Sequence, residues 1–295
     1  MNEFKRFHPI VNFFYFASVI GFSMFFMHPV CLLISLLSGI AYTLMLRGPS
    51  ALRRIKLYLP LMLITAAANP IFNHKGVTIL AYLPSGNPLT LESIAYGVAA
   101  AAMLASVLCW FSCFNKIMTS DKLIYLFGRT VPSLSLVLSM VLRFVPRFGT
   151  QLKNVRNSQK CIGRDISDGT LTDRIRSGIK ILSIMLIWSF ESSIDTADSM
   201  KSRGFGLHGR TAYSPYHFDR RDGITLTFIL IFSTSVLNAA VGSGAMYFTY
   251  FPSMQGGEPS LYQTAVFIAY LLLCITPIII EVWEAYRWKK SKSTI

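Results

Sequence analysis

Six apolar stretches, at 9–27, 30–46, 57–72, 91–113, 224–240 and 261–280, govern what this 295-residue chain can fold into. About 20 predominantly apolar residues let a helix cross the hydrocarbon of a bilayer. Lipid offers no partner to a backbone N–H or C=O, so such stretches must satisfy their own hydrogen bonds as helices. Five of the six hold no Asp, Glu, Lys or Arg, and the fourth holds only Glu92, just after Thr90. Thr90 reads as an N-cap, and the positive end of the helix favours a carboxylate beside it, so Glu92 is expected to be structural. His28-Pro29 reads as a tight reversal between the first two spans, and Pro60 interrupts the third. Residues 1–16 begin with Lys5 and Arg6 and turn apolar, as a signal peptide does. The run is too long, however, and a second span follows at once, so a membrane anchor is expected. The fold class expected is all-α: a polytopic helical membrane protein with about six spans plus amphipathic helices on the cytoplasmic side.

Charge tests that layout. The chain is 53% hydrophobic and only 14% charged, yet its net charge is +14. With the N-terminus in the cytoplasm, segments 1–8, 47–56, 114–223 and 281–295 lie inside. They carry 27 of the 28 Lys and Arg residues; Lys75 is the exception. The positive-inside rule accounts for this bias and puts both termini in the cytoplasm, so nucleic-acid binding is not needed to explain it. Trp110, Trp283, Tyr286 and Trp288 stand near expected span ends, where amphipathic rings settle. The five cysteines (Cys31, Cys109, Cys113, Cys161, Cys274) are scattered without a CxxC spacing and read as small buried apolar residues. His74, in the expected external loop, has no second ligand at metal-binding spacing and reads as an ordinary loop residue.

The chain divides on this reading into a membrane part at 1–113, a cytoplasmic-side part at 114–223, and the final spans with a basic tail at 224–295. The middle part contains apolar runs of 9 and 12 residues, 134–142 and 179–190. Runs that short suggest helices lying along the cytoplasmic membrane surface, or re-entering it. Phe148, Leu152, Val155 and Ile162 fall on one helical face, and Lys153, Arg156 and Lys160 on another. Ile194, Ala197 and Met200 form a second weakly polar stripe, followed by Lys201 and Arg203 in a last turn, where the helix dipole favours cations. Gly163 and Gly204 then read as C-caps. The two helix ends align: Ser158-Gln159-Lys160-Cys161-Ile162-Gly163 against Ser199-Met200-Lys201-Ser202-Arg203-Gly204. A shared Ser-x-Lys-[Cys/Ser]-x-Gly pattern, 41 residues apart, suggests two similar docking helices for two similar sockets.

These stretches resemble the T component, the transmembrane coupling subunit, of energy-coupling-factor (ECF) type ABC transporters, in the superfamily of cobalt-transport permeases. Asn69-Pro70-Ile71-Phe72-Asn73-His74-Lys75-Gly76 and Asn87-Pro88-Leu89-Thr90-Leu91-Glu92 resemble that family's external loop and the helix after it. Leu142-Arg143-Phe144-Val145-Pro146 resembles its turn into the first coupling helix. Gln159 to Gly163 and Ala197 to Phe205 stand where its two Ala-Arg-Gly-type motifs lie. Ile162 occupies the place of the first motif's arginine, and Arg164 follows beyond the glycine. The resemblance implies a subunit of a prokaryotic plasma-membrane importer that hydrolyses nothing and needs no cofactor. It implies as partners two cytoplasmic ABC-type ATPase subunits, a small substrate-binding membrane subunit and membrane lipid, for uptake of a vitamin, a related micronutrient or a metal ion. The ATPase-coupling residues implied are Gln159, Lys160, Cys161, Ile162, Gly163 and Arg164 at the first end, and Lys201, Ser202, Arg203 and Gly204 at the second.

Two other functions fit parts of the sequence. Asp165-x-x-Asp168 and the Glu191, Asp195, Asp198 set could hold Mg²⁺ against a prenyl or lipid diphosphate, which would make the chain a membrane enzyme. A self-sufficient secondary transporter would instead be expected to carry ionisable groups at mid-membrane, and the six stretches offer none. The phosphate-cradling pattern GxxxxGK[ST] is missing from the sequence, so any ATP must be handled by another polypeptide.

Overall fold

A computed structural model describes residues 3–82, 88–128, 132–163, 170–207, 216–242, 246–256 and 260–292. Nine α-helices and two small hairpins are present among them. The first two helices, α1 (Pro9–Phe25) and α2 (Pro29–Arg47), start in the same way. A histidine N-cap accepts from the backbone N–H two residues on, His8 Nδ1 from Ile10 and His28 Nδ1 from Val30, each at 3.3 Å. Proline follows at the first helical position, where its missing N–H costs nothing. Gly48, at φ 59°, links α2 to α3 (Pro49–Phe72) in a backbone conformation that favours glycine. The third span is therefore longer than its apolar run: the helix starts within the basic segment and continues through Pro60 and Pro70.

The hairpin of β1 (Ile79–Tyr82) and β2 (Pro88–Thr90) leads into α4 (Leu91–Ile117). Thr90 caps α4, its hydroxyl accepting from Ser93 N at 3.3 Å. Glu92 is buried and accepts from both the N–H and the hydroxyl of Thr78, so its role is structural, as expected. Gly76 makes that possible, since a Cβ there would stand 2.5 Å from Glu92 Oε2. A short α5 (Ser120–Gly128) leads on to α6 (Pro132–Cys161) and α7 (Leu171–Ser202). Then come α8 (Arg220–Gly242), the hairpin of β3 (Phe248–Thr249) and β4 (Gln255–Gly256), and α9 (Leu261–Lys292). Neither hairpin was legible in the apolar pattern.

Among the described residues six helices are long and apolar enough to cross a membrane: α2, α3, α4, α7, α8 and α9. The number matches the expectation, but the membership differs. At 17 residues α1 is at the short limit for a span, and α7 qualifies by length although only its 179–190 stretch stood out in the sequence. The chain is an all-α polytopic membrane protein.

Two compact units divide the chain. The first comprises Met1–Lys122 and Tyr216–Ile295. Its core is an aromatic cluster in which Phe4 of the N-terminal turn meets Tyr15 and Phe16 of α1 and Tyr42 of α2, and those three rings in turn meet Trp110 of α4. Trp110 was expected near a membrane interface; it is instead fully buried. Its indole N–H donates to Ser35 Oγ at 3.1 Å, and a partner of that kind is what allows a tryptophan into a core. By contrast Trp283, Tyr286 and Trp288 are exposed.

The loops of this unit sort into two groups. Tyr250, beside β3, donates to Met27 O at 2.8 Å, and its ring meets Tyr96 at the start of α4, so segments expected outside pack together. At the other group Asp222 accepts from His8 N, and Arg47 and Lys116 donate to Ser112 O and Leu46 O. Lys122 is buried there and donates to the carbonyls of Lys5 and Phe7.

The second unit, Leu123–Pro215, is built on α6 and α7.

Candidate functional site

The helices α6 and α7 pack antiparallel as a long hairpin. Val155 of α6 is buried against Ile181 and Met185 of α7, and one helical stretch away Phe148 meets the Trp188 ring edge-on at 5.2 Å. Arg147 lies over the same indole, 5.4 Å from its centroid. The start of α7 is fixed locally by a reciprocal cap. Asp173 N donates to the Thr170 hydroxyl, which in turn donates to Asp173 Oδ2 at 2.5 Å, and Thr170 N also donates to Oδ2. The Thr-x-x-Asp spacing was readable in the sequence and marks where α7 begins.

Both expected capping glycines adopt the left-handed conformation, Gly163 at φ 76° and Gly204 at φ 79°. In each copy of the repeat the glycine N–H donates to the carbonyl of the pattern's lysine at 3.0 Å, Gly163 to Lys160 and Gly204 to Lys201. At the second end Phe205 N also donates to Met200 O at 3.0 Å, which completes a Schellman motif. The repeated sequence pattern is thus a repeated backbone structure. Lys160, Cys161, Ile162 and Gly163 are exposed at the first end, with Gln159 half-buried; Lys201, Ser202 and Arg203 are exposed at the second, with Gly204 half-buried. Arg164 lies outside the described residues. Because the hairpin is antiparallel, the two ends point to opposite ends of it. The pairing of Val155 with Ile181 and Met185 leaves roughly 30 residues of helix between them, about 45 Å at 1.5 Å per residue.

The comparisons with known proteins bear on this geometry. The model of a family described as cobalt transport protein matches residues 6–213. The chain belongs to that family. Among curated relatives, it is similar to the energy-coupling factor transporter transmembrane protein EcfT of Lactobacillus helveticus, 34% identical over 111 residues. That match covers 37% of this chain and 40% of the relative. The protein of the same description from Lactococcus lactis is 37% identical over 102 residues, 34% of this chain and 38% of the relative. The one from Staphylococcus aureus is 32% identical over 118 residues, 40% of this chain and 43% of the relative. The chain spans about two fifths of the length of the curated relatives it matches.

Several expectations about this unit change. Cys161 is exposed, unlike Cys31, Cys109, Cys113 and Cys274, which are buried as expected. It stands on the last turn of α6, on a face that α7 does not cover. The apolar stripe on α6 is divided: Val155 faces α7, whereas Leu152 and Ile162 are exposed. On α7, Ile194 and Ala197 are exposed and the covered face passes through Ser192 instead. The register of the hairpin decides this, not hydropathy. Among the described residues no three His, Cys, Asp or Glu side chains are grouped so as to hold a metal ion, Glu191, Asp195 and Asp198 included. Asp165 and Asp168 lie outside the described residues. His74 is half-buried in the loop before the first hairpin.

Proposed function

We propose that this protein is the transmembrane coupling subunit of an ECF-type importer in a prokaryotic plasma membrane. Residues 1–113 and 224–295 form its membrane part, with both termini cytoplasmic, and 114–223 forms its coupling part. The reading rests on one observation above all: two helices of one hairpin end in the same six-residue pattern, with the same left-handed glycine cap and an exposed basic last turn, at opposite ends.

Two separated and similar ends suit two similar partners, here two ATPase subunits, each with a groove for one end. The Arg203 guanidinium has no partner among the described residues and is free to make a bidentate pair with a carboxylate in such a groove. The first end, with Ile162 in the corresponding place, docks through Lys160 and its cap. Long exposed apolar faces on α3, α6 and α7, including Leu57, Leu63, Val145, Leu186 and Phe190, suit lipid and a small substrate-binding membrane subunit. Closure of the ATPase pair would move the hairpin and reorient that subunit, with a vitamin, a related micronutrient or a metal ion as cargo.

Arg203→Ala in the complex reconstituted into vesicles tests the reading. ATP hydrolysis should continue while uptake falls at least tenfold. Uptake at the wild-type rate would refute the role of this helix end.

A further inference from the structure

A groove of about 810 Å³ lies between α6 and α7, and of the residues lining it only Arg203 takes part in the proposed coupling. Three guanidinium groups line it, Arg143 and Arg147 one helical turn apart on α6 and Arg203 just past α7, against one carboxylate, Asp195. Neither the Arg143 nor the Arg203 side chain has a hydrogen bond or ion pair among the described residues, and Asp195 pairs with neither. Ser192 also lines the groove; it is 93% buried and its hydroxyl has no hydrogen-bond partner among the described residues. A second groove, of about 380 Å³, continues from the first, sharing Phe144 and Ser192 with it. Its other walls include Val141, Val145 and Phe148, all exposed or half-exposed apolar side chains.

We propose that the pair of grooves holds an anionic phospholipid of the cytoplasmic leaflet. Its phosphate lies between Arg143 and Arg147, with Arg203 left to the coupling contact, and an acyl chain follows the apolar groove along α6. Guanidinium groups match phosphate bidentately, and basic pockets between helices on the cytoplasmic side suit such headgroups. The excess of two positive charges in the groove attracts an anion, and the buried Ser192 hydroxyl supplies a donor where water is scarce. The apolar continuation is what selects an amphiphile: a free phosphate or a carboxylate-bearing protein segment would leave it uncovered. The assignment rests on the proposed orientation, which puts this unit at the cytoplasmic face, but needs no ATPase partner, because the residues of the site all belong to this chain.

The test uses the full-length chain in a non-ionic detergent, without partner subunits. It is titrated by calorimetry with dioctanoyl phosphatidylglycerol, dioctanoyl phosphatidylcholine and glycerol 3-phosphate. Phosphatidylglycerol should bind at least tenfold tighter than the other two, and more weakly as salt rises. Arg143→Gln with Arg147→Gln should lose that preference tenfold or more. Lysine at both positions should give an intermediate affinity, because charge is kept and the fork is lost. Arg53→Gln with Lys56→Gln, on exposed sites of α3, should change nothing. Equal binding of phosphatidylcholine, equal binding of glycerol 3-phosphate, or unchanged binding by the double glutamine variant would each overturn the proposal. Should that variant misfold, the wild-type ranking of the three ligands still decides, together with a shift of Trp188 emission, since Arg147 sits over its ring.

Discussion

Replacing Gly204 with alanine isolates the cap that makes the second helix end rigid. At φ 79° the backbone is in a region that costs an L-residue about 1–2 kcal/mol. The added Cβ would stand 3.1 Å from Leu207 Cδ1, the tip of a side chain that can turn away, so the backbone cost dominates. Two bonds depend on that conformation, Gly204 N to Lys201 O and Phe205 N to Met200 O. A penalty of about 1–2 kcal/mol multiplies the open fraction of the last turn by roughly 5–30. Amide hydrogen exchange at Phe205 should therefore accelerate by that factor in Gly204→Ala, and by less in Gly204→Asn, because asparagine tolerates this region better. Gly163→Ala should behave alike at the first end, where φ is 76° and no atom lies within 4 Å of the new methyl. In the reconstituted complex, Gly204→Ala should lower uptake per ATP hydrolysed although Arg203 is intact. Unchanged exchange at Phe205 would refute the reasoning, because the cap would then not be what holds the turn.

Three other predictions concern the membrane unit. A Cβ at Gly97 would approach Ala66 O to 2.5 Å, so Gly97→Ala should force α3 from α4 and destabilise the unit by about 1–3 kcal/mol; an unchanged denaturant midpoint in detergent would contradict that close approach. Glu92→Ala removes both acceptors of Thr78 and should speed proteolysis of the first hairpin loop; equal cleavage rates would show that Glu92 does not hold it. Burial, reinforced by the charge of Lys5 and opposed by Asp222, pushes the Lys122 ammonium down to about 8. The folded state then binds fewer protons than the unfolded chain between about pH 8 and the ordinary lysine value near 10.4, so stability rises with pH across that window. The thermal midpoint of the wild type relative to Lys122→Met should climb between pH 8 and 10; a flat difference would refute the shift.

What the sequence determined is what a few neighbouring residues determine together. Apolar length and the absence of charge marked five of the six candidate spans, and Thr90, Gly163 and Gly204 marked helix ends, because capping acts within about four residues. The repeated pattern at Gln159–Gly163 and Lys201–Gly204 was legible for the same reason, and so was a structural role for Glu92 beside its N-cap, but not its burial against Thr78, 14 positions away. Packing between distant segments decided the rest. Trp110 became a core residue because Ser35, 75 positions away, offers its indole a partner. Cys161 stayed exposed and Ser192 became buried because the register of α6 against α7 fixes which face is covered. The same register sets the two glycine-capped ends far apart and gathers Arg143, Arg147 and Arg203 around one groove. Helical periodicity states which residues share a face; only the angle and register at which two helices meet state what that face touches.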